Sequence, residues 1–425
     1  MKYSNMSNAQ LQEQYKLLSD HFATCKSQNL KLNMARGKPG AGQLDLVSDI
    51  LGCLVDPAEC FTDVIDARNY GELTGLPVAK AFWADVLGCK PEQTFLGGTT
   101  SLNLMFDVIS RAYSHGLLHS ERPWCKEEVV KFLCPSPGYD RHFKITESFG
   151  AQLITVPMTP EGPDMDMVEE LVKDPQVKGI WCVPKYSNPD GIIYSDKTIQ
   201  RFANLKPAAS DFAIMWDNAY CVHEFEGDFV PFADIISLCE AAGNPDMVYE
   251  FASTSKITFP GAGISVLASS KANIDYFAEL FGVQLISHDK INQLRHVKYL
   301  KNKEHTIEIM KRHATVLAPK FRMVLDMLDK EIAPCGFAQW NHPSGGYFVS
   351  FNTMPGTAKR ALALCKEAGV TMTPAGATFP YGNDPQDSNI RIAPSLPPVE
   401  ELEKAMDIFC TCIKLAALEK LLAAK

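Results

Sequence analysis

No stretch of this 425-residue chain stays apolar for the ~18 residues that a membrane-spanning helix needs. Its opening segment, Met1 to Asp20, is polar and lacks a signal-peptide core. Positive charge is in short supply: 41 Lys and Arg face 50 Asp and Glu, a net charge of −9. Such a chain has no global attraction for phosphate backbones or anionic lipid, so neither nucleic acid nor membrane is an expected partner. The 13 cysteines form no CxxC pair, and Cys410 and Cys412 stand one residue apart. An odd, scattered set in apolar surroundings such as Trp181-Cys182-Val183 suits a reducing compartment better than a disulfide framework. A soluble cytoplasmic protein is the expectation. Several chemistries are missing as well. There is no GxxxxGK[ST] loop for a nucleoside triphosphate and no GxSxG elbow for a serine nucleophile. Cys221-Val222-His223 has no second pair at ligand spacing, so no metal is expected.

What the chain does have is an ordinary globular composition, 46% hydrophobic and 21% charged, which excludes disordered and fibrous classes. Leu11, Tyr15, Leu18 and Phe22 predict an amphipathic helix over residues 8–24. A turn-rich stretch, Arg36-Gly37-Lys38-Pro39-Gly40-Ala41-Gly42, follows. Five short apolar runs then end abruptly in polar loops: Thr94–Leu96, Val129–Cys134, Gly179–Val183, Phe212–Trp216 and Val248–Ala252. Strands without alternation are buried on both faces, which predicts an α/β fold with a mostly parallel sheet flanked by helices. A long helical stretch over about 290–330 leads to a smaller α+β domain, with strands at Tyr347–Phe351 and Ile390–Ile392 and a closing helix over 399–422. The expected division is an N-terminal arm and part of the small domain (1–60), a large α/β domain (61–290), and a connecting helix with the small domain (291–425). No internal repeat or low-complexity segment interrupts it.

Ligands of open α/β sheets sit at the carboxyl ends of the strands, so the five loops are expected to converge. Gly97-Gly98-Thr99-Thr100-Ser101 opens a helix, where free N–H groups suit a phosphate or simply receive a cap. Asp217 follows five apolar residues; it is either a helix N-cap or a carboxylate aimed at a cationic ligand atom, with Tyr220 three residues on. Lys256, after Ser253-Thr254-Ser255, is either a solvated surface group or an amine desolvated for Schiff-base chemistry. Asn188-Pro189-Asp190-Gly191 reads as a turn. Tyr139 is a stacking platform or core residue, and Arg391, between Ile390 and Ile392, wants a carboxylate or phosphate.

In this order, the set resembles fold type I pyridoxal-phosphate enzymes, and most closely the class I aminotransferases. The segments Asn33-Met34-Ala35-Arg36-Gly37-Lys38-Pro39, Arg68-Asn69-Tyr70-Gly71 and Ser253-Thr254-Ser255-Lys256-Ile257-Thr258-Phe259 look like the subgroup Ic aspartate aminotransferases. The resemblance runs from about residue 30 to 415. It implies pyridoxal 5'-phosphate held by Lys256 as a Schiff base, and Lys256 as the group that then shuttles the substrate proton. It implies Asp217 on the pyridine nitrogen, Tyr220 and Asn188 on the ring phenolate, and Tyr139 stacked on the ring. Gly98, Thr99, Thr100, Ser253 and Ser255 would bind the phosphate. Tyr70 would reach the phosphate of a neighbouring subunit, which requires a homodimer. Arg391 would clamp the substrate α-carboxylate, with Gly37 and Asn188 beside it. Many relatives carry an arginine eight residues after the lysine; here that position is Ile264. Lys290 and Arg295 are the candidate replacements, from either subunit. Arg141 is the candidate cation for a substrate side-chain carboxylate; the alternative is a surface arginine paired with Asp140 or Glu147.

The implied activity is aspartate:2-oxoglutarate aminotransfer by a ping-pong mechanism, on small amino-acid and oxo-acid substrates. An aromatic, kynurenine or alanine aminotransferase, or a carbon–sulfur lyase, would use the same apparatus. A regulatory protein with this domain would need a helix-turn-helix ahead of residue 30, where only one amphipathic helix is legible.

Overall fold

The apolar runs become the strands of one eight-stranded sheet. The computed structural model describes residues 2–424. Across the sheet the order is Thr94–Gly97, Ser265–Ala268, Val248–Ser253, Ala213–Asp217, Val177–Cys182, Lys131–Ser136, Gln152–Thr159 and Gly162–Pro163. The neighbours from Val248–Ser253 to Gln152–Thr159 are all parallel. Ser265–Ala268 runs antiparallel to both of its neighbours, which leaves Thr94–Gly97 pointing the same way as the parallel set. All five expected loops therefore leave the same edge.

Every residue of Val177–Cys182 and Ala213–Asp217 is buried. Alternate side chains supply two cores: Ile214 and Trp216 pack with Leu133, Ile180 and Phe202 on one face, while Ala213 and Met215 pack with Phe132, Trp181 and Phe277 on the other. Helices cover both faces, which is why these strands show no polar alternation. Burial at about 1.5–3 kcal/mol per large apolar side chain stabilises this sheet from both faces.

Three strands of this sheet escaped the sequence reading. Gln152–Thr159 alternates between buried and open positions and contains Pro157; Ser265–Ala268 and Gly162–Pro163 are too short to show a period. The expected 290–330 helix is two helices, Lys290–Leu300 and Lys303–Glu331. Lys301 breaks them with a φ of 61°, and Asn302 caps the second by accepting the His305 N–H at 2.9 Å.

A third core surrounds an antiparallel sheet of Gln339–Trp340, Val349–Asn352 and Asn389–Ile392. The helices Ala358–Glu367 and Val399–Ala423 pack on it, and Asn8–Ser27 lies against Val399–Ala423. Leu32–Asn33 pairs in parallel with Val370–Thr371 and ties the N-terminal segment to this part. No helix among the described residues is long and apolar enough to cross a membrane.

Candidate active site

One cavity at the carboxyl edge of the large sheet gathers most of the expected residues. Gly37, Thr100, Tyr139, Asn188, Asp217, Tyr220, Ser253, Ser255 and Lys256 line it, together with Phe348. Their spread over the sequence is resolved by the sheet: Asp217 ends one strand, and Phe251 of the next strand stands opposite it in register, five residues before Lys256.

Lys256 is partly exposed as a residue, but its amine lies inside the protein. Nζ sits 4.9 Å from the Tyr220 ring centroid and 5.9 Å from that of Tyr347. Burial lowers its pKa and the Asp217 carboxylate partly opposes that shift, so the amine is poised toward the neutral, nucleophilic form. Asp217 is 4% exposed. Its Oδ2 accepts the His142 Nε2–H at 2.9 Å, and its Oδ1 has no hydrogen-bond partner. A buried carboxylate oxygen without a partner suits a cationic N–H. The helix-cap alternative for Asp217 does not apply, since no helix begins there.

His142 was not singled out from the sequence. It lies three residues after Tyr139, in the first turn of Asp140–Ser148, and its ring stacks on Trp181 at 4.4 Å and 9°. That spacing on a helix opening beside a strand-end acid was the available signal.

Around the Gly97 turn, Thr100 accepts the Leu102 N–H at 3.2 Å and caps Ser101–Ser114. Ser255 Oγ donates to the Thr99 carbonyl at 3.4 Å, Ser253 Oγ donates to Ser255 Oγ at 3.1 Å, and Ser265 Oγ donates to the Gly98 carbonyl at 2.9 Å. The two loops thus form one hydroxyl-rich end of the site. Ile264 is 2% exposed, and its N–H donates to Thr254 Oγ1 at 3.0 Å.

Arg391 is buried. Its Nη1 donates to Asp140 Oδ1 at 3.1 Å and Asn188 Oδ1 at 3.3 Å, and its Nη2 to Thr373 Oγ1 at 3.4 Å. Its guanidinium lies 4.8 Å over the Phe348 ring, and Nε has no partner.

Three expected residues stand apart. Tyr70 is 83% exposed. Lys290 is buried, and its ammonium donates to the carbonyls of Asn69 at 2.5 Å and Gly71 at 2.9 Å and to Ser287 Oγ at 3.3 Å. With all three donors taken, it holds the chain on either side of Tyr70 and is not free for a phosphate. Arg141 is exposed, and among the described residues it has no ion pair. The surface pairing considered for it is absent, because Asp140 pairs with Arg391 and Glu147 with Lys144.

Behind the cavity lies a buried relay that sequence reading missed. His313 Nε2–H donates to the Ile257 carbonyl at 3.0 Å. Gln43 Nε2 donates to His313 Nδ1 at 3.3 Å and to the Tyr347 hydroxyl at 2.9 Å. Thr258 Oγ1 meets His296 Nε2 at 2.9 Å. The two residues after Lys256 are therefore held from three distant parts of the chain. Burial pushes both histidines down to about 4, so both stay neutral.

A deep lysine, an open carboxylate oxygen across from it, a hydroxyl-lined loop pair and a buried arginine, all on one edge of this α/β sheet, define a pyridoxal-phosphate enzyme of fold type I. The aspartate amino-transferase family matches residues 6–425, and the chain belongs to that family. The chain is 49% identical to an aspartate aminotransferase of Corynebacterium glutamicum over 94% of its own length and 92% of that protein. It is 46% identical to a putative aminotransferase of Mycolicibacterium smegmatis, over the full length of both. The crystal structure of an aspartate transaminase from Corynebacterium glutamicum superposes with a TM-score of 0.96, at 47% identity and covering 99% of each chain. The protein is a pyridoxal-phosphate-dependent aminotransferase acting on small amino and oxo acids.

Proposed function

We propose that the chain moves the amino group between aspartate and 2-oxoglutarate in two half-reactions of a ping-pong cycle. The 49% identical aspartate aminotransferase supports the substrate, and the juxtaposition of the Lys256 amine with the unpartnered Asp217 Oδ1 carries the chemistry. Bound pyridoxal phosphate supplies an aldehyde for the amino group and a ring that delocalises the electron pair left at the substrate Cα. Lys256 would hold the aldehyde, and its amine would move the proton at the substrate Cα. Asp217 Oδ1 keeps the ring nitrogen protonated, and His142 keeps that carboxylate aimed. Tyr220 and Asn188 orient the ring oxygen, and Tyr139 covers one ring face. Gly98, Thr99, Thr100, Ser253 and Ser255 hold the phosphate. Arg391 clamps the α-carboxylate next to Gly37 and Asn188, and Arg141 takes the side-chain carboxylate.

In this reading the protein is a homodimer. Leu51, Val55, Phe61, Val64 and Tyr70 are all exposed, which is how a segment covered by a second copy looks in one chain alone. Tyr70 reaches the neighbour's phosphate, and Lys290 acts by fixing the loop that presents it. Arg295, whose Nε is buried without a partner, is the remaining candidate for the charge missing at Ile264. Residues 1–60 and 291–425 serve as the arm and smaller domain, facing the 61–290 domain across the site.

The test is absorbance of the purified enzyme with single amino acids. Aspartate and glutamate are expected to bleach the visible cofactor band, and oxaloacetate or 2-oxoglutarate to restore it. Bleaching by alanine or an aromatic amino acid but not by aspartate would sink the substrate assignment. For Arg141→Ala, kcat/KM should fall selectively for dicarboxylic substrates, and an equal fall on alanine would remove Arg141 from the site.

A further inference from the structure

Arg391 already holds a carboxylate, and that carboxylate belongs to the protein. Asp140 Oδ1 lies 3.1 Å from Nη1, and among the described residues Arg391 is its only ion-pair partner. Asp140 is not needed to aim the guanidinium. Asn188 Oδ1 accepts from the same Nη1, Thr373 Oγ1 from Nη2, and the Phe348 ring supports the plane from one side. These three contacts fix Arg391 without adding negative charge. Asp140 adds it, and does so with a side chain that keeps 32% of its surface exposed. It is also the first residue of the helix Asp140–Ser148, where the N-terminal dipole accommodates a carboxylate that turns away from Arg391. Asp140 thus has a charged partner at the site and an acceptable place outside it.

We propose that Asp140 is an internal competitor of the substrate: a carboxylate that occupies Arg391 in the resting enzyme and yields it to the α-carboxylate of the substrate. This rests on the reading of Arg391 as the α-carboxylate clamp. The consequence is a threshold. A simple carboxylate exchanges one ion pair for another and gains little, so stray monoanions are kept off the clamp. A ligand with a second anchoring group gains enough elsewhere to displace Asp140.

The experiment measures binding of propionate and succinate, neither of which has an amino group, to the holoenzyme by titrating the cofactor absorbance. Asp140→Asn should tighten both by roughly fivefold, the ratio that a partly exposed ion pair sustains. The KM for aspartate should fall with them, and Asp140→Glu should stay close to the parent protein. Unchanged or weaker binding by the Asn variant overturns the proposal, as does equal tightening by the Glu variant. Arg391→Lys separates the two readings. If it leaves succinate binding intact, the clamp itself is wrong. If it weakens binding while Asp140→Asn tightens nothing, only the competing role of Asp140 falls.

Discussion

Gly37→Ala tests how closely the N-terminal segment is fitted to the substrate clamp. The Gly37 backbone is not left-handed, so alanine meets no conformational penalty there. The obstacle is steric. An added Cβ would lie 2.4 Å from Phe348 Cζ and 2.7 Å from Cε1, where carbon atoms need about 3.5 Å or more. Phe348 must therefore move by on the order of 1 Å. It is 7% exposed, and its ring supports Arg391, so the motion is passed to the guanidinium. Overpacking of this kind costs about 1–3 kcal/mol. Borne entirely on binding substrate, that cost lowers kcat/KM by at most roughly 5- to 150-fold. The loss should fall on KM for the amino acid, while cofactor affinity changes little, because Phe348 lies on the Arg391 side of the cavity. Steady-state kinetics alongside a cofactor titration measures both. Gly52→Ala, with no atom within 4 Å of the new Cβ, is the matched control. A Gly37→Ala enzyme with normal KM, or with its defect confined to cofactor binding, would refute the reasoning.

Glu250 is 3% exposed, and burial raises its pKa to about 8; Asn218 donates to Oε1, and Oε2 is unpartnered. The folded state holds this proton more tightly than the unfolded chain, so its stabilising effect is complete below about 4.5 and is lost as pH rises toward 8. Melting curves of Glu250→Gln should therefore gain on the parent by roughly 1.4 kcal/mol per pH unit across that window; a constant offset would contradict it. His313 titrates in the opposite sense: with its pKa lowered to about 4, the stability held above 6.5 drains away as the solution is acidified. His313→Leu should flatten part of that acid slope and cost about 1–3 kcal/mol at neutral pH, and chemical denaturation at two pH values would show whether it does. Tyr70→Phe should weaken cofactor retention and lower the Tm of the cofactor-loaded protein with it; unchanged retention during gel filtration would remove Tyr70 from the phosphate site.

The parallel sheet was legible because a strand buried on both faces leaves a local mark, an unbroken apolar run that ends at a polar loop. Asp217 and Lys256 were legible for the same reason, as charged groups at the mouths of such runs. Strand Ser265–Ala268 left no mark, since four small or apolar residues carry no period, and its direction depends on neighbours far away in the chain. The Gln43–His313–Tyr347 relay was hidden because its members come from three segments whose local patterns are those of ordinary helix and strand residues. Lys290 was recognised as a notable cation and offered for the phosphate; its neighbours in the fold were not legible. Nothing in Asp289-Lys290-Ile291 reveals that two main-chain carbonyls more than 200 positions earlier would claim its ammonium.

The reversed course of Ser265–Ala268 carries a consequence for how this enzyme tolerates change. The chain leaves the sheet after Ser253, passes through Lys256, and must return within eleven residues to the edge it has just left, and a Cβ at Gly263 would crowd Thr254 and the Thr99 carbonyl. Lengthening that return would slide the amine along the sheet margin, because both ends of the detour are pinned by strand pairing. Insertions and deletions among descendants of this sequence should therefore collect in the outer connections and spare the detour, leaving its length nearly invariant even where its side chains drift.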